Sequence, residues 1–197
     1  MSGSQAWVAD TYSGLADVLE RSAASWDAPS LCEGWQTRHV VAHATMPVRL
    51  TPERFGAEMA AAQGDFGVLS NTVAARDAAL PTQELLSQLR SPDLHGWQPP
   101  GGGVAGAVSH AVIHSLDVTI PLGERPVAPA EAVRDVLDQL TASHGAWFGV
   151  DLSGVRLAAT DTDWAWGDGD TVSAESGELV ALLSGRALPD GRRLPRR

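Results

Sequence analysis

The feature that most constrains the fold is a pair of histidines, His110 and His114, in an apolar stretch near the middle of the chain. The stretch covers residues 106–123 and reads GAVSHAVIHSLDVTIPLG, a pattern that favours a helix. In an α-helix, residues four positions apart lie on the same face, with Cβ atoms about 5–6 Å apart. Two imidazoles on one face can bind the same metal ion, so a third ligand must come to this helix from elsewhere in the chain.

A second histidine pair, His39 and His43, has the same spacing on another predicted helix, which starts near Thr37 and ends or kinks at Pro47. Neutral imidazole is the commonest metal ligand, and three imidazoles around zinc leave coordination positions open for water or a substrate. Four histidines on two helices are therefore candidate ligands. The spacing does not decide which three would bind, and one or two of them could instead be surface or hydrogen-bonded core residues.

The rest of the pattern predicts a mainly α fold. Apolar periodicity, N-cap signals and prolines predict further helices over about 4–25, from Thr51, over 68–80, over 82–90 and over 130–143. Residues 91–103, with three prolines and three successive glycines, are predicted as a loop. Beyond residue 149 the polarity alternates, which predicts two strands over 155–160 and 163–166, a turn at 167–170 and a last helix that stops at Gly185.

These elements predict three parts in the chain. Residues 1–148 form a metal-binding helical bundle, residues 149–187 form a small α+β subdomain, and residues 188–197 form a flexible tail rich in Arg and Pro.

Composition excludes several classes of function. The chain has 24 acidic and 14 basic residues, a net charge of −10, whereas nucleic-acid-binding proteins have a basic face, so no nucleic-acid partner is expected. Every basic residue is Arg, which excludes mechanisms that need a Schiff-base lysine or a P-loop lysine. The single cysteine, Cys32, cannot form an internal disulfide. Together with the lack of a signal peptide and of any apolar run of about 18–20 residues, this predicts a cytoplasmic protein without membrane contact.

Two segments resemble the metal motifs of one known family. Residues 29–43, PSLCEGWQTRHVVAH, resemble the opening motif of the mycothiol-dependent maleylpyruvate isomerase family, one of the DinB-like metal-binding bundles. Residues 110–117, HAVIHSLD, followed by PLG at 121–123, resemble the second metal motif of that family. Residues 155–186 are similar to its small C-terminal domain, so the resemblance spans most of the chain.

The resemblance implies a DinB-like four-helix bundle with a divalent metal ion, zinc, at one end. Its ligands would be His43, His110 and His114, while His39 would lie off the metal, where relatives often have an acidic residue. Relatives can have Glu at the position of His110, so the site here would be all-nitrogen. Three neutral imidazoles leave the full dipositive charge on the metal, which strengthens its attraction for a thiolate.

The resemblance also implies a function. The first hypothesis is a metal-dependent enzyme in which mycothiol, a low-molecular-weight thiol, becomes a metal-activated nucleophile toward a small electrophilic substrate. Isomerisation and S-transfer share the first half of that mechanism, and neither needs a nucleophile from the protein. The alternatives are a non-catalytic metal-binding bundle, for stress response or small-molecule binding, and a zinc hydrolase with Asp117 or His39 as general base.

Other side chains have two interpretations each. Asp117, three residues after His114, could orient that imidazole by a hydrogen bond, or it could be a solvated or capping residue. Cys32 is interpreted as a small buried apolar residue rather than a nucleophile. The acidic stretch 161–170 lacks the EF-hand pattern and is predicted to be a hairpin turn. Candidates for contact with a substrate or an anionic cofactor are Trp35, Trp97, Arg49 and Arg54.

Overall fold

A computed structural model describes residues 3–197 of the chain. The α-helices are α1 (Gly3–Glu20), α2 (Thr37–Ala44), α3 (Met46–Arg49), α4 (Pro52–Ala61), α5 (Phe66–Asp77), α6 (Thr82–Leu89), α7 (Pro92–Gly96), α8 (Gly103–Thr119), α9 (Ala130–Ala142) and α10 (Ser176–Leu183). The strands are β1 (Val155–Ala159), β2 (Ala165–Trp166) and β3 (Asp170–Ala174). None of the described helices is long and apolar enough to cross a membrane.

The helical bundle is organised around α8, which packs against α1, α2, α9 and α10. Its apolar stripe is fully buried at Ala111, Val112 and Leu116, and α2 contributes Val40 and Val41 to the same core. Burying a side chain of this kind stabilises a fold by about 1.5–3 kcal/mol. These contacts hold α2 and α8 side by side, which is what the two histidine pairs require. The predicted mainly α fold with a small C-terminal α+β part is confirmed.

The prediction of a loop over residues 91–103 is wrong at both ends. Residues Pro92–Gly96 form α7, and α8 already begins at Gly103. The hydroxyl of Ser91 accepts a hydrogen bond from the amide of Asp93 (3.2 Å) and caps α7, with Pro92 as its first residue. The same Ser-Pro pair that favours a turn thus starts a short helix, which is held by the buried side chain of Leu94.

The small sheet has the order β2-β1-β3, with β1 antiparallel to β2 and parallel to β3. Within the stretch 161–170 that was predicted as a hairpin turn, the residues before β2 do connect the antiparallel strands β1 and β2. Residues 167–170 instead lead from β2 to β3, which lie on opposite sides of β1 and do not pair. The segment between β2 and β3 passes close to the backbone at the start of β1. Its glycines Gly167 and Gly169 have positive φ, 77° and 125°. A Cβ on Gly169 would lie 2.0 Å from the carbonyl oxygen of Gly154, so only glycine allows this close crossing.

The C-terminal segment, predicted as a flexible tail over 188–197, instead lies against the molecule. Leu188 and Leu194 are buried, and the amide of Asp151 donates to the carbonyl of Pro195 (2.8 Å). The apolar core is continuous across residue 148, the predicted boundary between the bundle and the α+β part. Burial of these two leucines holds an otherwise polar segment against the molecule. The arginines of the segment therefore lie beside the bundle.

Candidate metal centre

Three histidines from two helices converge at one point of the bundle. His43 comes from α2, and His110 and His114 come from α8. One ring nitrogen from each lies within 4.8 Å of the others. The ring centroids of His43 and His110 are both 4.7 Å from that of His114, and they are 5.5 Å from each other. The structure thus brings together the three residues that the sequence motifs predict as ligands.

Each of these imidazoles uses Nδ1 for a hydrogen bond to a partner outside the cluster. The pairs are His43 with the hydroxyl of Ser70 (3.0 Å), His110 with the hydroxyl of Tyr12 (2.8 Å) and His114 with the carboxylate of Asp117 (2.9 Å). These bonds leave Nε2 of each ring available to bind a metal ion. Metal-ligating histidines have this arrangement, because the outer bond fixes both the tautomer and the orientation of the ring. Three free Nε2 atoms fit a single divalent metal ion.

The protonation states also fit a metal ion, which binds only neutral imidazole. Burial, reinforced by the neighbouring imidazole of His114, lowers the pKa of His43 to about 3. Burial also lowers the pKa of His110 well below its ordinary value. Both rings are therefore neutral at pH 7. The pKa of Tyr12 is raised by its burial, so its side chain stays a phenol beside His110.

The carboxylate of Asp117 is the centre of a buried polar network. It is bonded to His114 Nδ1, and it accepts hydrogen bonds from Arg186 Nε and Nη2 (both 2.9 Å) and from the thiol of Cys32 (3.2 Å). Burial alone would raise the pKa of this carboxyl group. The bonds from His114 and Arg186 outweigh burial and hold the pKa below its ordinary value, so Asp117 is ionised.

Arg186 balances this buried charge, and no sequence motif predicted a role for it. It follows Gly185, whose φ of 76° ends the turn after α10 and directs the next side chain toward α8. Its guanidinium also donates to the carbonyl of Ser184 (2.8 Å). A lone arginine directly after a helix-stopping glycine, in the apolar context ALLSGRAL, is the only signal in the sequence that could have marked it.

An open cleft of about 920 Å³ leads to the histidine cluster, with His43 and His114 among its lining residues. Trp35 lies at its side, with its ring 5.5 Å from that of His43 and its indole N–H bonded to Asn71 (3.0 Å). Of the two tryptophans predicted to contact a substrate, Trp35 therefore lines the cleft. Trp97 does not; it packs 5.4 Å from the ring of His110.

Three other candidates have structural surroundings that explain them. His39 lies outside the cluster, and its Nδ1 accepts a hydrogen bond from the amide of Gln36 (3.2 Å), which caps α2. Arg49 was expected near an anionic ligand, but it is paired with Asp77 (2.8 Å) inside the bundle. Arg54 donates to the carbonyl of Arg49 (3.2 Å) and does not reach the cleft either.

Cys32 lines the cleft and is half-buried. Burial, together with the nearby charge of Asp117, raises the pKa of its thiol to about 12. Because only a thiolate is a good nucleophile, this cysteine is a hydrogen-bond donor rather than a reactive group at neutral pH.

Comparisons with known proteins agree with the motifs. Residues 8–93 match the model of the mycothiol maleylpyruvate isomerase N-terminal domain. The whole fold is similar to a crystal structure of a histidine-to-alanine mutant of the mycothiol-dependent maleylpyruvate isomerase, with 15% identity and a TM-score of 0.60. The fold is also similar to a second crystal structure, that of the mycothiol-dependent maleylpyruvate isomerase, with 16% identity and a TM-score of 0.52. Both alignments cover 98% of this chain and 95% of the other, and at such identities they show a shared fold.

No curated protein gives a significant sequence match to the chain. The predicted resemblance is nevertheless confirmed by the domain match, which includes the first motif, and by the shared fold. Residues 8–93, which carry α2 and His43, are therefore similar to the mycothiol maleylpyruvate isomerase N-terminal domain.

Proposed function

We propose that this protein is a metal-dependent enzyme that uses mycothiol to act on a small electrophilic substrate, by isomerisation or by S-transfer. The metal would be a divalent ion, zinc, held by His43, His110 and His114. The observation that carries the proposal is the convergence of three imidazoles, each hydrogen-bonded through Nδ1, beside an open cleft. A structural zinc site would have four protein ligands, whereas three leave a position for a thiol.

The charges around the site favour an anionic ligand. Imidazole binds a metal ion in its neutral form, and Asp117 is paired with Arg186, so no ligand in the cluster would cancel the charge of a divalent ion. When bound there, such an ion lowers the pKa of a thiol, about 8.5 in water, and supplies a thiolate at neutral pH. The residues of the chain hold the imidazoles in place, and the cleft admits the reactants.

The side chains considered as a nucleophile or a base, Cys32, Asp117 and His39, are unsuited to that role. The thiol of Cys32 stays protonated because its pKa is raised to about 12, and the chain has no lysine. A general base needs a free lone pair and a pKa near the operating pH. Asp117 lacks both, since it accepts several hydrogen bonds and its pKa is lowered, and His39 lies outside the cluster. These features disfavour the zinc-hydrolase alternative.

The test is metal binding followed by thiol binding. Purified protein should bind about one divalent ion per chain, and His110→Ala should abolish that binding, as should His43→Ala and His114→Ala. His39→Ala, on the same helix as His43, is the matched control and should retain the metal. Wild-type metal content in all three cluster variants would disprove the site.

Thiol chemistry is tested on the cobalt-substituted protein. Adding mycothiol should produce a sulfur-to-metal absorption band, and an unchanged spectrum at saturating thiol would favour the non-catalytic metal-binding alternative. Mass spectrometry of a panel of electrophiles then separates the two reactions. A mass gain equal to the thiol indicates S-transfer, and a changed double-bond geometry at unchanged mass indicates isomerisation.

A further inference from the structure

The large apolar side chains that are exposed in residues 3–197 are confined to two short segments. They are Phe66 (50% exposed), Val68 (50%), Trp147 (80%) and Phe148 (37%). Phe66 and Phe148, one from each segment, line the cleft that leads to the histidine cluster. Exposed apolar side chains gathered at a concave site mark a place where a ligand binds.

The backbone holds both phenylalanines at the cleft. Phe66 is the first residue of α5, whose start is fixed by the side chain of Asp65 accepting from the amide of Val68 (3.1 Å). Its ring centroid is 6.4 Å from that of His43. Phe148 ends a short 3-10 turn (Ala146–Phe148) between two glycines with positive φ. A Cβ on the first of them, Gly145, would lie 2.6 Å from the carbonyl oxygen of Val150, so this turn is tightly constrained.

The cleft is also locally cationic in a protein of net charge −10. Arg186 and two arginines of the C-terminal segment line it, whereas Glu33 is its only acidic lining residue. Arg186 is paired with Asp117, but Arg193 and Arg196 form no ion pair with any carboxylate in residues 3–197. Arg196 donates to the carbonyl of Gly185 (2.8 Å). The guanidinium of Arg193 therefore has its donors available for a carboxylate or sulfonate, which it binds well.

We propose that the electrophilic substrate of this cleft is an amphipathic anion. Its apolar part, an aromatic ring or a group of similar size, packs between Phe66 and Phe148, and its carboxylate or sulfonate binds Arg193. The identification of this ligand as the substrate rests on the proposed function. The binding of such a molecule beside the histidine cluster does not, since it needs neither metal nor thiol.

The test is a fluorescence titration of the purified full-length protein, with and without zinc, using 8-anilinonaphthalene-1-sulfonate, an aromatic sulfonate, as the probe. Loss of an aromatic contact should raise the dissociation constant about 5- to 30-fold in Phe66→Ala and in Phe148→Ala. Loss of the charged contact should raise it about 5- to 10-fold in Arg193→Ala and weaken its dependence on salt. Circular dichroism checks folding, and the two phenylalanine variants test the same contact independently.

Two matched controls distinguish the cleft from the general surface. Trp147→Ala removes a more exposed aromatic ring next to Phe148 that does not line the cleft, and Arg156→Ala removes an exposed arginine elsewhere. Both should bind the probe like the wild type. Equal weakening by Trp147→Ala, or unchanged binding in Phe66→Ala, Phe148→Ala and Arg193→Ala, would overturn the proposal.

Kinetics separate this proposal from the proposed function. In the zinc-loaded enzyme, Phe148→Ala should raise KM for an aromatic anionic electrophile and leave KM for the thiol unchanged. A rise only in KM for the thiol would assign the aromatic pair to the thiol and overturn the proposal. Variant-sensitive probe binding without any cobalt–thiol band would refute the proposed function alone. A cobalt–thiol band with variant-insensitive probe binding would refute this inference alone.

Discussion

Replacement of Asp117 by asparagine tests whether the buried network supports the metal centre. The carboxylate is almost fully buried and accepts from both Arg186 Nε and Arg186 Nη2, one on each oxygen. An amide has only one oxygen, so either orientation of the new side chain places an NH₂ group against the guanidinium. The variant thus leaves Arg186 without its counter-ion and weakens the bond that orients His114.

Two magnitudes follow from these contacts. Removing one partner of a buried ion pair costs about 3–5 kcal/mol of folding free energy. The side chain of Arg186 is 16% exposed at the cleft and can gain water, which places the expected loss at the lower end, about 3 kcal/mol. Loss of a hydrogen-bond partner behind a ligating histidine weakens metal binding about 10- to 100-fold.

The assay measures the two effects separately. Urea unfolding is followed with a chelator present, because bound metal would itself stabilise the fold. Zinc affinity is then measured by competition with a chromophoric chelator. Asp77→Asn is the matched control: Asp77 is also buried and paired with two arginines, Arg49 (2.8 Å) and Arg76 (2.6 Å), but it lies outside the histidine cluster.

We expect Asp117→Asn to lose both stability and zinc affinity, and Asp77→Asn to lose stability alone. Wild-type zinc affinity in Asp117→Asn would refute the orienting role of the carboxylate. Equal loss of zinc affinity in Asp77→Asn would show that metal binding reports general stability and not this hydrogen bond.

Two further substitutions test the assignments of single residues. Cys32→Ser should retain the metal and the activity, since a hydroxyl also donates to Asp117; complete loss of activity would make the cysteine a catalytic group. Gly169→Ala should lower the free energy of unfolding by more than Gly191→Ala. The first combines positive φ with a Cβ 2.0 Å from a carbonyl oxygen, whereas the second has open space and only the backbone strain of about 1–2 kcal/mol. If urea unfolding showed the same loss of stability in both variants, the close contact between Gly169 and the carbonyl of Gly154 would be contradicted.

The helices and the two histidine pairs were predictable because their signals are local. Apolar periodicity marks α1, α8 and α9, and the spacing of four residues puts both histidines of each pair on one face. The choice between His39 and His43 is not contained in the spacing. His39 occupies the first turn of α2, where its ring accepts from the amide of Gln36, and only the motif resemblance separated it from His43.

The features that were missed depend on contacts between distant parts of the chain. The Gly-Asp-Gly-Asp stretch is a turn signal between strands, but because β3 pairs with β1, it leads from one side of β1 to the other. Composition marked residues 188–197 as a tail, yet burial of Leu188 and Leu194 fixes them. Arg186 meets a carboxylate 69 positions earlier in the sequence, and no local pattern predicts an ion pair of that kind.

The residues around the three histidines would favour a thiol over water as the fourth ligand of a bound metal ion. Three imidazoles and a neutral Asp117–Arg186 pair leave a bound divalent ion with its full charge, so an anionic ligand is favoured. Beside His43, Trp35 and Phe66 present aromatic surface, which would suit a soft, polarisable thiolate better than a strongly hydrated hydroxide. The charge of the ligand set and the aromatic surface beside it would therefore each favour a thiolate as the fourth ligand.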